Sequence, residues 1–408
     1  MKKIISIILA AFLLVLTGCG VPFHKQLDMY MMNGQYDLAD QLIDTEKANG
    51  SEYNDKNTLL YYFDKGSVTQ MLGEYKLSSN FLDKADDMID KLYTKSAVDE
   101  AGAFLSNDLN IKYAGEDFEQ VMVNILKALN YMYLDDFSAA RVEVKKVNNK
   151  LNLFADTYGD KAIYTDDPFA RYLSGFCYEA NGDINDAYID YKKSYETYRK
   201  YSAIYGVTPP DSVKQDLLRT AAALNFTDDI EMYKKEFGTI TYMTRPELEK
   251  RAEILIVVYD GMPAYKVEGL AHMPVFNVRG YSVSNIEVYA QGVTGTPFVA
   301  QDLSTMAVKN LENKNAWILL KSVARGVVKD LIKQFVPLGS LFVGEEKADT
   351  RSWRTIPARF QMIRLSLPPG DIKALVKLYS VNGIEREIPF DLKLRAGQKK
   401  VLPIYCFN

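Results

Sequence analysis

Histidine is almost missing from this chain: among 408 residues only His24 and His272 occur. That scarcity removes His-based zinc sites and leaves a Ser-His-Asp arrangement little to build on. Cysteine is nearly as rare, at positions 19, 177 and 406. Cys-x-x-Cys, His-Glu-x-x-His and Gly-x-Ser-x-Gly are absent, and Gly292-Val293-Thr294-Gly295 lacks the Lys-Ser/Thr of a phosphate-binding loop. A net charge of −4 gives no general attraction to nucleic acid. After residue 18 no apolar run reaches the roughly 20 residues a membrane-spanning helix needs. The sequence therefore points away from catalysis, metals, cofactors and nucleic acid. The acidic clusters Asp83-Lys84-Ala85-Asp86-Asp87, Asp135-Asp136 and Asp228-Asp229 read as a solvated helix face and two turns, where Asp is favoured for backbone reasons.

What is present begins at the N-terminus. Lys2 and Lys3 precede an apolar stretch from Ile4 to Leu16, then Leu16-Thr17-Gly18-Cys19. The stretch has the length of a cleaved export signal. Its end is similar to the lipobox of bacterial lipoproteins. That resemblance implies removal of residues 1–18, lipid attachment at Cys19 and a short tether over 19–26. One acyl chain anchors only marginally, so several are expected. Gly20-Val21-Pro22-Phe23 lacks the Asp that retains such proteins at an inner membrane. The expected location is the cell envelope, at the periplasmic face of an outer membrane. In an oxidising compartment Cys177 and Cys406 have the option of a disulfide, although they fall in different expected domains and Cys177 stands where a core residue is expected.

Internal repetition dominates residues 27–238. Four segments share one template, in which a turn residue is followed two places later by a bulky side chain and five places later by a small one: Gly34/Tyr36/Ala39, Gly73/Tyr75/Ser78, Asp135/Phe137/Ala140 and Gly182/Ile184/Ala187. Seven residues before each turn stand Leu27, Gly66, Ala128 and Gly175. Small residues twelve apart across a turn are what two antiparallel helices need where they cross most closely. The segment from Pro209 to Gly238, with Leu217, Leu218, Ala221 and Leu224 in helical phase, reads as a closing pair. PFARYLSGFCYEANGDINDAYIDYKKSY, from Pro168 to Tyr195, resembles the tetratricopeptide repeat (TPR), and NILKALNYMYLDDFSAARVEVKKV does so nearly as well.

From about residue 239 the pattern changes. Glu253 to Tyr259 is a β-branched run ending at Asp260-Gly261. Further strands are expected at Val283–Tyr289, Ala358–Leu367, Ala374–Tyr379, Phe390–Leu394 and Val401–Tyr405, with a hairpin at Asn382-Gly383. Within this domain a helical insertion is expected at about 302–345. Its Lys321, Arg325, Lys329 and Lys333 form one basic stripe, read either as a solvated face or as a membrane-surface contact. The fold class is thus α+β multidomain: an N-terminal all-α TPR-like helical-hairpin solenoid, then an antiparallel β-sandwich-like domain with an embedded amphipathic helix.

Together with ADTRSWRTIPARFQMIRLSLPPG, these stretches resemble bacterial lipoproteins that join a tetratricopeptide-like region to a C-terminal β domain. The resemblance implies architecture and an envelope location and supplies no reaction. Transferring the repeat's groove positions gives Met122, Ile125, Leu129 and Met132, then Phe169, Tyr172, Phe176 and Glu179, as candidate partner-binding residues. Large apolar groups there imply either an open protein-binding groove or a groove covered by the chain's own β domain or by the insertion near 94–117. The expected function is an envelope scaffold or assembly factor with a protein partner. The alternative is a cell-wall or surface polysaccharide binder whose tyrosines stack on sugars, and an unrecognised carboxylate enzyme stands behind both.

Overall fold

The computed structural model describes residues 21–103, 111–158, 164–269, 274–281, 283–313, 348–380 and 382–407. The export signal, Cys19, His272, the basic stripe, residues 104–110 of the insertion near 94–117 and residues 314–345 of that near 302–345 lie outside those residues; 303–313 is helical.

Ten helices form five hairpins: α1 (Phe23–Met32) with α2 (Tyr36–Asn49), α3 (Thr58–Met71) with α4 (Tyr75–Ala103), α5 (Asp117–Tyr133) with α6 (Phe137–Tyr158), α7 (Pro168–Ala180) with α8 (Ile184–Tyr205), and α9 (Asp211–Ala223) with α10 (Thr227–Phe237). A single turn, α11 (Arg245–Leu248), follows. Each hairpin reverses through one left-handed residue: Gly34, Gly73, Asp135, Gly182 and Asn225, with φ between 57° and 84°. The closing pair therefore uses the same turn as the four repeats. The turn ties the end of the first helix with two backbone bonds, as in Gly73 N–H to Gln70 O (2.9 Å) and Glu74 N–H to Thr69 O (3.0 Å). Where the helices cross, the small residues are sterically required. A Cβ on Gly175 would lie 2.6 Å from the Tyr191 ring, and one on Gly66 would lie 2.5 Å from Leu82.

Among the described residues ten strands follow: β1 (Ala252–Asp260), β2 (Tyr265–Glu268), β3 (Pro274–Asn277), β4 (Asn285–Ala290), β5 (Val293–Gly295), β6 (Phe298–Asp302), β7 (Arg359–Leu367), β8 (Gly370–Ser380), β9 (Gly383–Leu394) and β10 (Lys399–Cys406). One sheet has the order β10-β1-β7-β6, a second β5-β4-β8-β9, and β2-β3 pair separately. The expectation of purely antiparallel sheets is corrected here: β10 runs parallel to β1, from Glu253 beside Lys399 to Asp260 beside Cys406. The cause is the Arg395–Gln398 connection. It carries the chain from the second sheet to the start of β1, where Gln398 O accepts Glu253 N–H at 2.9 Å. Pro389 and Pro403 are tolerated because β9 and β10 are edge strands.

All nine residues of β1 are buried. Ile254, Ile256 and Val258 face the second sheet and join one core, while Leu255, Val257 and Tyr259 join the core of the helices. The molecule is layered as helices, mixed sheet, second sheet. Among the described residues no helix is long and apolar enough to cross a membrane.

Candidate functional site: the seam between helices and sheet

The first helices of the hairpins present the groove that the sequence marks for partners, and the groove is full. Met122, Leu129, Met132, Phe169, Tyr172 and Phe176 are fully buried and Ile125 is 2% exposed. Glu179 retains 9% of its side-chain surface. Of the two readings of these residues, the structure shows the covered one, and the cover is the chain's own β domain. Phe169 stacks on Phe360 of β7 with centroids 4.7 Å apart, and Tyr172 meets Phe298 of β6 edge-on. Phe176 lies beneath the Arg364 guanidinium and the Lys399 ammonium, 5.0 and 5.5 Å from its centroid.

Glu179 sits at the centre of a charged cluster that the sequence does not reveal. Arg364 of β7 reaches Glu179 at 3.0 Å, Asp216 of α9 at 2.9 Å and Glu253 of β1 at 2.7 Å. Arg219 adds contacts to Asp216 at 2.6 Å and Glu179 at 2.9 Å, and Lys399 pairs with Glu253. Three carboxylates thus face three cations in a dry setting. Burial alone would raise the Glu179 carboxyl, but Arg219, Arg364 and Lys399 hold it well below the usual range. Burial pulls Lys399 below an ordinary lysine, against the pull of Glu179.

A second motif recurs from repeat to repeat. In the loop before each of three groove helices, a tyrosine hydroxyl donates to a buried carboxylate that also accepts from the β domain. Tyr53 donates to Asp64 at 2.7 Å, and Thr355 donates to its other oxygen at 2.7 Å. Tyr113 donates to Glu119 at 2.5 Å, and the Trp353 N–H donates to the other oxygen at 2.7 Å. Tyr164 donates to Asp167 at 3.0 Å, and Gln301 donates to the same carboxylate. Burial pushes Asp64 and Asp167 each up to about 6. Burial and the neighbouring Glu116 raise Glu119 as well.

The segment from 348 to 358, marked in the sequence by Trp353 and Pro357, runs along this groove without helix or strand. The Trp353 indole stacks on Phe63, centroids 4.2 Å apart. Arg354 and Arg279 share Asp28 of α1 at 2.8 and 2.7 Å, and each packs against the Tyr265 ring, 4.3 and 4.5 Å from its centroid. A buried polar chain fixes the register of helices on sheet. Asn130 donates to Ser78, Gln70 donates to Asn130, Tyr259 of β1 donates to Gln70, and Tyr133 and Tyr259 share a hydroxyl contact of 3.0 Å. Cys177 and Cys406 are both free and buried, so the optional disulfide is not formed. Burial pushes the Cys177 thiol up to about 12. Among the described residues no group of three or more His, Cys, Asp or Glu is placed to hold a metal ion. The chemistry this arrangement performs is adhesion between two halves of one chain.

The class this geometry defines is a helical-hairpin repeat protein whose concave face is filled in cis by a β domain. No known family's sequence profile matches the chain, and no curated protein does. Solved structures resemble it only distantly. A Podosopora anserina kinesin light chain with TPR-like repeats is 13% identical over 52% of this chain and 90% of its own, with a TM-score of 0.35. BtubC from P. vanneervenii is 15% identical over 54% and 81%, TM-score 0.34, and MamA is 15% identical over 52% and 91%, TM-score 0.31. Likeness at this level carries no functional weight, and the repeat architecture stands on the five hairpins themselves.

Proposed function

We propose that the protein is a membrane-tethered envelope lipoprotein, held through acyl groups on Cys19 at the periplasmic face of an outer membrane, that acts as a protein-interaction scaffold or assembly factor. The first helix starts at Phe23, four residues after Cys19, so the folded body stands within roughly 14 Å of its lipid. With the concave face filled, a partner has to use the outer face. The observation that carries this reading is a row of exposed apolar side chains at one repeat position. Val142, Ile189 and Met232 each lie five residues into the second helix of consecutive hairpins, α6, α8 and α10. They are 57%, 42% and 47% exposed. Single exposed apolar residues are ordinary, but their recurrence at one repeat position places them on the same face of successive hairpins, and exposed apolar patches mark interaction sites. In-cell cross-linking mass spectrometry with a tagged copy tests the reading. A recurrent protein partner linked near α6–α10, and lost when Val142, Ile189 and Met232 are changed to Asp, supports it. Links confined to the chain itself contradict it.

A second reading, polysaccharide binding, is favoured by a trough of about 440 Å³ on the outer face of the second sheet. Thr294, Tyr289, Leu375 and Pro389 align across its four strands as a floor. Lys373 and Asp391 flank one side, and Glu287, Lys377 and Glu387 flank the other. An apolar floor between polar walls of both signs suits the two faces of a sugar ring. Glycan pull-down that depends on Tyr289 separates this reading from the first.

A further inference from the structure

The groove carboxylates Asp64 and Asp167 sit where buried anions are costly. Both are buried, and among the described residues neither is in an ion pair. Asp64 faces the hydroxyls of Tyr53 and Thr355, with Arg354 nearby lowering and Glu119 raising its affinity for a proton. Asp167 faces the Ala170 N–H, Tyr164 and Gln301, with Asp166 raising that affinity. Glu119 faces Glu116, Lys266, Tyr113 and the Trp353 N–H. Each of these carboxylates holds a donor from the β domain, so its ionisation acts on the contact between the two halves.

We infer that the seam is a proton-responsive clasp: proton uptake by Asp64 and Asp167 tightens the seat of the β domain in the helical groove, and proton release loosens it. A neutral carboxyl escapes the cost of an unpaired buried charge, which outweighs the weakening of the hydrogen bonds it accepts from Tyr53, Thr355, Tyr164 and Gln301. The direction follows from linkage. Groups raised to about 6 when folded bind more protons than in the unfolded chain, where an aspartate titrates near 3.9. Their contribution is therefore full below about pH 4 and fades as pH rises through 6. His24, half-exposed on α1, is lowered to about 4 by partial desolvation and by Arg354, and opposes this trend between pH 4 and 6.5. A comparison of variants is therefore needed rather than one profile.

The experiment measures thermal and urea midpoints of the mature chain at pH 5 and pH 7.5, with and without Asp64→Asn/Asp167→Asn. Asn at 167 keeps an oxygen for the Ala170 N–H, which Asp167 accepts at 2.9 Å. The expected result is a stability advantage of the double variant over the parent that is a few degrees larger at pH 7.5 than at pH 5. Parallel profiles for the two proteins would overturn the clasp. Hydrogen exchange at the Trp353 amide of the unaltered chain, corrected for intrinsic rates, is the second readout, valid even if the double variant does not fold. Protection is expected to fall at least tenfold from pH 5 to pH 7.5, and constant protection would overturn the proposal. No partner is needed, so failure here leaves the scaffold reading standing, and success does not establish it.

Discussion

Arg364 of β7 holds Glu179 of α7 at 3.0 Å in a setting where both side chains are under a tenth exposed. A strand in the second half of the chain thereby supplies the counter-ion for a helix in the first. Removing one partner leaves Asp216, Glu253 and Glu179 with too little positive charge in a dry seam. Arg364→Ala is expected to cost about 3–5 kcal/mol, read from urea unfolding. Arg364→Lys should recover only part of that loss, because one ammonium cannot reach three carboxylates as a planar fork does. A loss under 1 kcal/mol for the Ala variant would mean the cluster is hydrated and the seam open.

The groove residues make a related prediction. Were the groove open, Phe176→Ala and Tyr172→Ala would abolish partner capture and leave folding intact. Because both rings are buried against the sheet, each truncation should instead destabilise the chain by about 3–5 kcal/mol. Denaturant midpoints of the two variants check this.

Gly175 tests the repeat geometry. The Tyr191 ring occupies the place of a Cβ there, so Gly175→Ala should force the helices apart and cost about 1–3 kcal/mol. Gly182→Ala meets no neighbour but carries φ of +84°, so its cost arises from backbone strain, about 1–2 kcal/mol. Thermal unfolding of the two variants, with Gly175→Ala/Tyr191→Leu as the relieving partner, distinguishes the causes.

Acid behaviour has a separate source in Asp86. Burial would raise its carboxyl, but Lys150, Asn124 and Lys127 outweigh that and bring it to about 2. A depressed carboxylate contributes stability above its unfolded value near 4 and loses it as pH falls toward 2. Asp86→Asn should therefore be less stable than the parent at pH 6 and close to it at pH 2, by circular dichroism melting.

The hairpins were legible because their signal is local. A turn residue, a bulky residue and a pair of small residues at fixed spacing suffice to place Gly66 against Leu82 and Gly175 against Tyr191. Asp135 and Asn225 filled left-handed turns as Gly does elsewhere, and Asp135 was legible only through its repeat position. The filling of the groove was written less plainly. Ile254-Leu255-Ile256-Val257-Val258-Tyr259 has no polar alternation, the mark of a strand covered on both faces, and that run was the available sign that something packs on β1 from the helical side. The charged cluster left no local mark. Glu179, Asp216, Glu253 and Arg364 are scattered over 186 positions and meet only because β7 lies beside β1. The parallel placement of β10 is likewise decided by a connection between sheets, which strand patterning does not encode.

The most direct test of the self-filled groove is zero-length carbodiimide coupling of the purified mature chain. Asp135, in the turn of the third hairpin, and Lys400 of β10 are 2.8 Å apart and both reach solvent. A peptide pair joining Asp135 to Lys400 is expected in the mass spectrum of the monomer. Its absence, with couplings confined within the helices and within the strands, would contradict a β domain seated in the groove.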